Sequence, residues 1–153
     1  KSNSSYVENL ALVNDVVSTE INNGFSSLTP YLEFSERVKD HRQEFRKAIN
    51  KLNLDGEVVC GYGASTKGNV VLQHCDLTAK DIPFIAEVNE KTFGYFTPSS
   101  HIPIISEHEA RTKNPKTFVV FPWHFREEIL KKERIFLNAG GRLLFPLPSV
   151  SLI

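Results

Sequence analysis

The sequence predicts an α/β fold: a mostly parallel sheet with flanking helices, preceded by two N-terminal helices. Three observations carry this prediction. Short, partly β-branched apolar segments occur only after residue 56, several of them ending in glycine or proline. Helical stretches separate these segments, and the segments are apolar on both faces, as strands covered from two sides must be. Before residue 56 the apolar spacing is three and four instead, the period of a helix face.

In order along the chain, Tyr6, Leu10, Val13, Val17 and Ile21 mark one face of an amphipathic helix that Asn23-Gly24 closes. Thr29-Pro30 then supplies an N-cap and a first-turn proline. Tyr31, Val38, Phe45 and Leu52, with Phe34, His41 and Ala48 between them, predict a longer helix with a buried stripe. Glu33 and Arg37 make an i,i+4 pair on its charged face. Strands are expected at 57–61, 83–88, 117–121 and 142–145, with a fifth at 150–153. Helices are expected at about 67–75, 106–113 and 124–137. The expected division is a helical connector over residues 1–55 and one sheet domain over 56–153.

Composition narrows the function. The chain has 153 residues, 41% hydrophobic and 24% charged, which excludes a disordered or fibrous protein. Eighteen basic residues balance eighteen acidic ones, so no global field draws nucleic acid or a membrane surface. Lys131-Lys132, beside Glu127, Glu128 and Glu133, reads as a mixed helical surface and not as a nucleic-acid patch. Apolar runs are far shorter than the roughly 20 residues that span a bilayer. Two cysteines are too few for a disulfide framework or a four-ligand zinc site, and a reduced, cytoplasmic setting is the default. No two of the five histidines are four residues apart, so no metal site is expected. Lys1 opens the chain and methionine is absent, so the sequence reads as a piece of a longer protein.

The most informative segment is Gly61-Tyr62-Gly63-Ala64-Ser65-Thr66-Lys67-Gly68-Asn69, between the first strand and the next helix. The carboxyl end of a strand is where α/β sheets bind ligands. A helix opening near Lys67 points free N–H groups at that place, and Lys67, Ser65, Thr66 and Asn69 add a charge and neutral donors. The combination suits a phosphate or pyrophosphate. A Walker A loop is excluded, because Lys67 precedes Gly68 and Asn69 follows. A G-x-G-x-x-G loop needs glycine where Thr66 stands, although Glu87 ends the second strand where a ribose-binding carboxylate belongs.

This loop closely resembles that of the C-terminal domain of nucleotide-sugar C-methyltransferases, the TDP-hexose type. Four further segments are similar to the family in the same order: Leu72-Gln73-His74-Cys75, Thr97-Pro98-Ser99-Ser100-His101-Ile102-Pro103-Ile104, Val120-Phe121-Pro122-Trp123-His124-Phe125, and Gly140-Gly141-Arg142 followed by Phe145-Pro146-Leu147-Pro148. The chain departs from the family at Ser99-Ser100, at Glu87-Val88-Asn89-Glu90 and at His124.

The resemblance implies a three-part parent enzyme. It has an N-terminal zinc-binding domain, a central S-adenosylmethionine domain, and a C-terminal Rossmann-like domain that binds no cofactor of its own. The sugar nucleotide lies between the last two. Ser65, Thr66, Lys67, Gly68 and Asn69 would then sit at the diphosphate, and Gly61 and Gly63 are substrate-binding candidates because glycine lets a ligand approach the backbone closely. The partners implied are a TDP-hexose-like nucleotide sugar and the S-adenosylmethionine domain of the same polypeptide.

Three further positions carry two readings each. Glu87, with Asn89, either binds ribose hydroxyls or caps the strand end. His101 either bonds a ligand, as the one weak candidate for a proton-transfer residue, or fixes its own loop between Pro98 and Pro103. Trp123 either walls a base or sugar or packs under the next helix. Two other functions remain open: an NAD(P)-binding oxidoreductase domain, and a non-catalytic interaction module whose loop has lost its ligand.

Overall fold

The computed structural model describes Ser5 and residues 7–153. The chain divides into two compact units, Lys1–Asp40 and His41–Ile153.

The first unit contains α1, Leu10–Asn22, and the start of α2, Thr29–Leu54. Asn9 caps α1 by accepting from the Leu12 N–H at 3.2 Å. Asn23 ends it, with Gly24 at φ +76° completing the turn. Tyr6, expected on the α1 face, lies outside the described residues. The rest of that face is not buried: Leu10, Val13, Val17 and Ile21 are all exposed. The Glu33–Arg37 pair does not form; Arg37 lies over the Phe34 ring at 5.9 Å instead.

In the second unit the carboxyl-terminal half of α2 belongs to the core. Phe45, Ile49 and Leu52 are buried there, whereas Tyr31 and Phe34 earlier on the stripe are exposed. His41 Nε2 donates to the Pro146 carbonyl at 2.6 Å. The order then runs β1 (Val59–Tyr62), α3 (Thr66–His74), β2 (Ile85–Glu87), β3 (Ile104–Ser106), α4 (Glu107–Thr112), β4 (Thr117–Val120), α5 (Arg126–Lys132), α6 (Arg134–Asn138), β5 (Arg142–Phe145) and β6 (Ser151–Leu152). Short 3₁₀ turns lie at Glu90–Thr92 and Trp123–Phe125.

The six strands form one sheet in the order β3-β2-β1-β4-β5-β6. All neighbours are parallel except β5 and β6. The sheet is therefore the mostly parallel, helix-flanked one that the sequence predicts, with β3 as a strand that the sequence reading did not count. The stretch expected as one helix over 124–137 is a 3₁₀ turn and two short helices that meet at Glu133.

Alternation along each strand divides the core into two layers. Val59, Ile85, Val119 and Leu144 face one layer with Phe45, Ile49 and Leu72 from α2 and α3. Cys60, Ala86, Phe118 and Phe145 face the other with Ala110 and Ile129 from α4 and α5. Each large side chain buried this way contributes about 1.5–3 kcal/mol. Both faces of a parallel sheet must be covered, and these two layers cover them. The chain leaves β1 toward β2 on one side and later crosses to β4 on the other. That reversal leaves a crevice outside the carboxyl ends of β1 and β4.

Candidate functional site

The loop between β1 and α3 is built for close packing. Gly63 has φ +81°, and a Cβ there would stand 2.9 Å from Pro122 Cδ. A Cβ on Gly68 would stand 2.6 Å from Phe121 Cβ, so glycine lets α3 settle on the end of β4. Gly61 lies within β1, where a Cβ would meet Ile85 at 2.6 Å.

Ser65, in extended conformation, is the N-cap of α3, and its Oγ accepts from the Gly68 N–H at 3.0 Å. The Asn69 N–H donates to the Ser65 carbonyl at 3.0 Å. The Thr66 and Lys67 N–H groups have no partner among the described residues, and both residues are exposed. The amino end of α3 is therefore open to solvent at the carboxyl edge of β1, with two N–H donors free among the described residues, one of them on exposed Lys67.

Glu87 braces this loop from the end of β2. Its Oε2 accepts from the Ala64 N–H at 2.6 Å. Its Oε1 accepts from the Val88 and Asn89 N–H groups at 2.7 and 3.0 Å. The Asn89 side chain caps the following turn by accepting from the Lys91 N–H at 3.2 Å. Both side chains thus already have backbone donors.

A cleft of about 400 Å³ opens at this edge. Gly63, Ser65 and Glu87 line it, while Thr66, Lys67, Gly68 and Asn69 continue α3 outside its lining. Among the lining residues that the sequence did not single out as site residues are Glu107, Phe125 and Lys132.

Behind the cleft five side chains close a ring. Lys132 Nζ donates to Tyr62 Oη at 2.8 Å and to Glu107 Oε2 at 2.9 Å. Arg111 Nη2 donates to Glu107 Oε1 at 2.6 Å and to both Glu133 oxygens at 2.8 Å. Tyr62 Oη donates to Glu133 Oε1 at 3.1 Å. Glu133 is 2% exposed, and these hydrogen bonds satisfy its buried oxygens.

Within the ring the titrations of Tyr62, Glu107 and Lys132 are shifted. Burial pushes the Tyr62 phenol upward, against the hydrogen bond from Lys132. Burial also opposes ionisation of Glu107, but hydrogen bonds from Arg111 and Lys132 outweigh it and hold the carboxyl below its ordinary value. For Lys132, burial disfavours the charge, and its bonds to Tyr62 and Glu107 outweigh that and raise it. Lys132 and Glu107 therefore face the cleft as an ammonium and a carboxylate.

Helix spacing shows the Glu107–Arg111 pair in the sequence. Nothing in a run of alternating charges showed that Glu133 turns inward and brings Lys132 to the cleft.

His101 is not brought to this site. Ile104 pairs with Ile85, the first residue of β2, and the Pro103 carbonyl accepts from the Ile85 N–H at 2.9 Å. His101 lies three residues earlier, at the amino edge of the sheet, roughly 10 Å of strand length before Ile104. It is exposed, with φ +50°, and its N–H donates to the Thr97 carbonyl at 3.1 Å. Thr97 Oγ1, paired with Ser100 Oγ at 2.7 Å and accepting from the Ile102 N–H at 2.9 Å, fixes the same loop.

Trp123 does follow β4 at the carboxyl edge, but it packs against both core layers, and Phe125 is the aromatic residue that lines the cleft. Cys60 and Cys75 are free and buried, and burial pushes their thiols up to about 12 and about 11. Among the described residues no three His, Cys, Asp or Glu side chains converge as a metal site, and no helix is long and apolar enough to cross a membrane.

Comparison with known proteins gives two matches. The model of the C-methyltransferase C-terminal domain family matches residues 2–148. The C-methyltransferase NovU of Streptomyces niveus is 32% identical over 141 residues, which are 92% of this chain and 34% of that protein. The chain thus spans about a third of the length of this curated relative. With a match over nearly its whole length, the chain belongs to the C-methyltransferase C-terminal domain family.

Proposed function

We propose that the chain is the nucleotide-sugar-binding domain of a C-methyltransferase that moves a methyl group from S-adenosylmethionine to a carbon of a keto-sugar nucleotide. The observation that carries the reading is the open amino end of α3, where exposed Thr66 and Lys67 have N–H groups unpartnered among the described residues, directly after Ser65, which lines the cleft. A diphosphate there gains two backbone donors, the positive end of the helix and a cation. Ser65 and Asn69 shape that turn, and Gly61, Gly63 and Gly68 let the loop and helix pack behind it.

The reaction needs a proton removed beside a carbonyl and then attack on the sulfonium methyl. This domain contributes binding and orientation, which can supply several kcal/mol of barrier lowering. S-adenosylmethionine and a structural zinc belong to parts of the parent enzyme outside this chain. The partner surface is then the S-adenosylmethionine domain of the same polypeptide, with residues 1–55 as the connector to it. Two free thiols fit a cytoplasmic enzyme.

An NAD(P) domain is the weaker reading. Thr66 stands where its third glycine belongs, and the carboxylate of Glu87, which would hold the ribose, is spent on three backbone N–H groups. Thermal-shift titrations separate the two readings: TDP raises the unfolding temperature and NADH does not. The reverse result would select the oxidoreductase reading, and methyl transfer by this chain alone would contradict a purely binding role.

A further inference from the structure

The cleft contains chemistry that the diphosphate leaves unused. The charged side chains lining it are Glu87, Glu107 and Lys132, two carboxylates against one ammonium. Arg111 and Glu133 behind it cancel each other. A diphosphate inside this space would meet a net negative lining and a lysine already paired to a carboxylate. An uncharged group meets no such repulsion.

Lys132 is also aimed. An ammonium has three N–H donors. Tyr62 Oη and Glu107 Oε2 take two of them, at 2.8 and 2.9 Å, and the third has no partner among the described residues. Two fixed bonds leave little freedom to the third, so a donor stands ready at the cleft wall. The same cleft is lined by Phe125, 54% exposed, and Ile129. An aromatic face, an ammonium and a carboxylate together match a sugar ring, which has C–H faces and hydroxyls that both donate and accept.

We propose that this cleft binds the uncharged hexose end of the ligand, with Lys132 donating to a sugar hydroxyl or keto oxygen and Phe125 covering the ring. The diphosphate stays outside it, at Thr66 and Lys67. This assignment rests on the nucleotide-sugar reading above and adds a specificity-determining pair to it.

Calorimetric titration of the 153-residue chain with TDP and with TDP-glucose tests it. Lys132→Met should weaken TDP-glucose binding about tenfold, the lower end for a lost bond to a charged group. Phe125→Ala should weaken it about tenfold by removing the apolar cover of the ring, and both should leave TDP affinity unchanged. Phe125 is exposed, and Glu107 keeps Arg111 when Lys132 is replaced, so both variants retain the wild-type melting temperature closely enough to compare. Equal losses for both ligands would put the nucleoside in the cleft and overturn the proposal; so would TDP-glucose affinities that do not change. If the wild-type chain binds both ligands and the variants fail to discriminate, this assignment alone is wrong. If it binds neither, the nucleotide-sugar reading fails and takes this assignment with it.

Discussion

The Ala64 backbone N–H donates to Glu87 Oε2 at 2.6 Å, so the end of β2 holds the loop that leaves β1. The other carboxylate oxygen collects the Val88 and Asn89 N–H groups. One side chain therefore fixes two neighbouring loop segments at the carboxyl edge. Glu87→Ala leaves three backbone donors without it and should cost about 1.5–3 kcal/mol. Urea unfolding of the two proteins measures the difference. A variant as stable as the wild type would mean that water replaces the carboxylate freely.

Gly68 allows α3 to rest on Phe121. A methyl group there would stand 2.6 Å from Phe121 Cβ and 2.8 Å from Cγ, too near for any relaxed contact. Gly68→Ala should destabilise by about 1–3 kcal/mol, the usual scale for overpacking a tight interface. Because the ring belongs to the core, the strain should appear in the denaturant midpoint with an unchanged slope. An unaffected midpoint would mean that α3 can lift away from β4 at no cost.

Glu107 predicts the acid behaviour of the ring. Its folded carboxyl titrates below the ordinary 4.5, because hydrogen bonds from Arg111 and Lys132 outweigh burial. A group lowered on folding adds stability that is full above the unfolded value and lost as pH falls through the folded one. The stability difference between wild type and Glu107→Gln should thus be constant above about pH 5.5 and shrink as pH drops below 4.5. Unfolding curves across that range check it. A difference that grows on acidification would reverse the sign and show that the ionised form is not the one stabilised.

Much of the sheet was legible in the sequence because buried parallel strands are short apolar runs. β1, β2, β4, β5 and β6 all fall within or against the expected segments. β3 escaped because it has three residues, follows Pro103, and ends at Ser106, which immediately caps α4. The helix expected over 124–137 breaks at Glu133, where the chain turns a carboxylate into the core toward Arg111 and Tyr62. That is a tertiary demand with no periodic signature.

The site was legible only in part, for the same reason. The strand-to-helix loop is local and was legible, but Ser65, read as a donor toward a ligand, caps α3 instead, and the glycines meet packed side chains at Pro122, Phe121 and Ile85. His101, read either as a ligand contact or as fixing its own loop, is sent to the opposite edge by the pairing of β2 with β3. Lys132 and Glu107 come from separate helices, and only the fold brings them into direct contact at 2.9 Å.

The position of the anion can be measured directly. In a ¹⁵N-resolved NMR titration of the chain with TDP, the Thr66 and Lys67 amides should move furthest, and Lys67→Ala should weaken the affinity by about 1.5–3 kcal/mol. Shifts concentrated around His101, or a Lys67→Ala variant that binds as tightly as the wild type, would contradict a diphosphate seated on the amino end of α3.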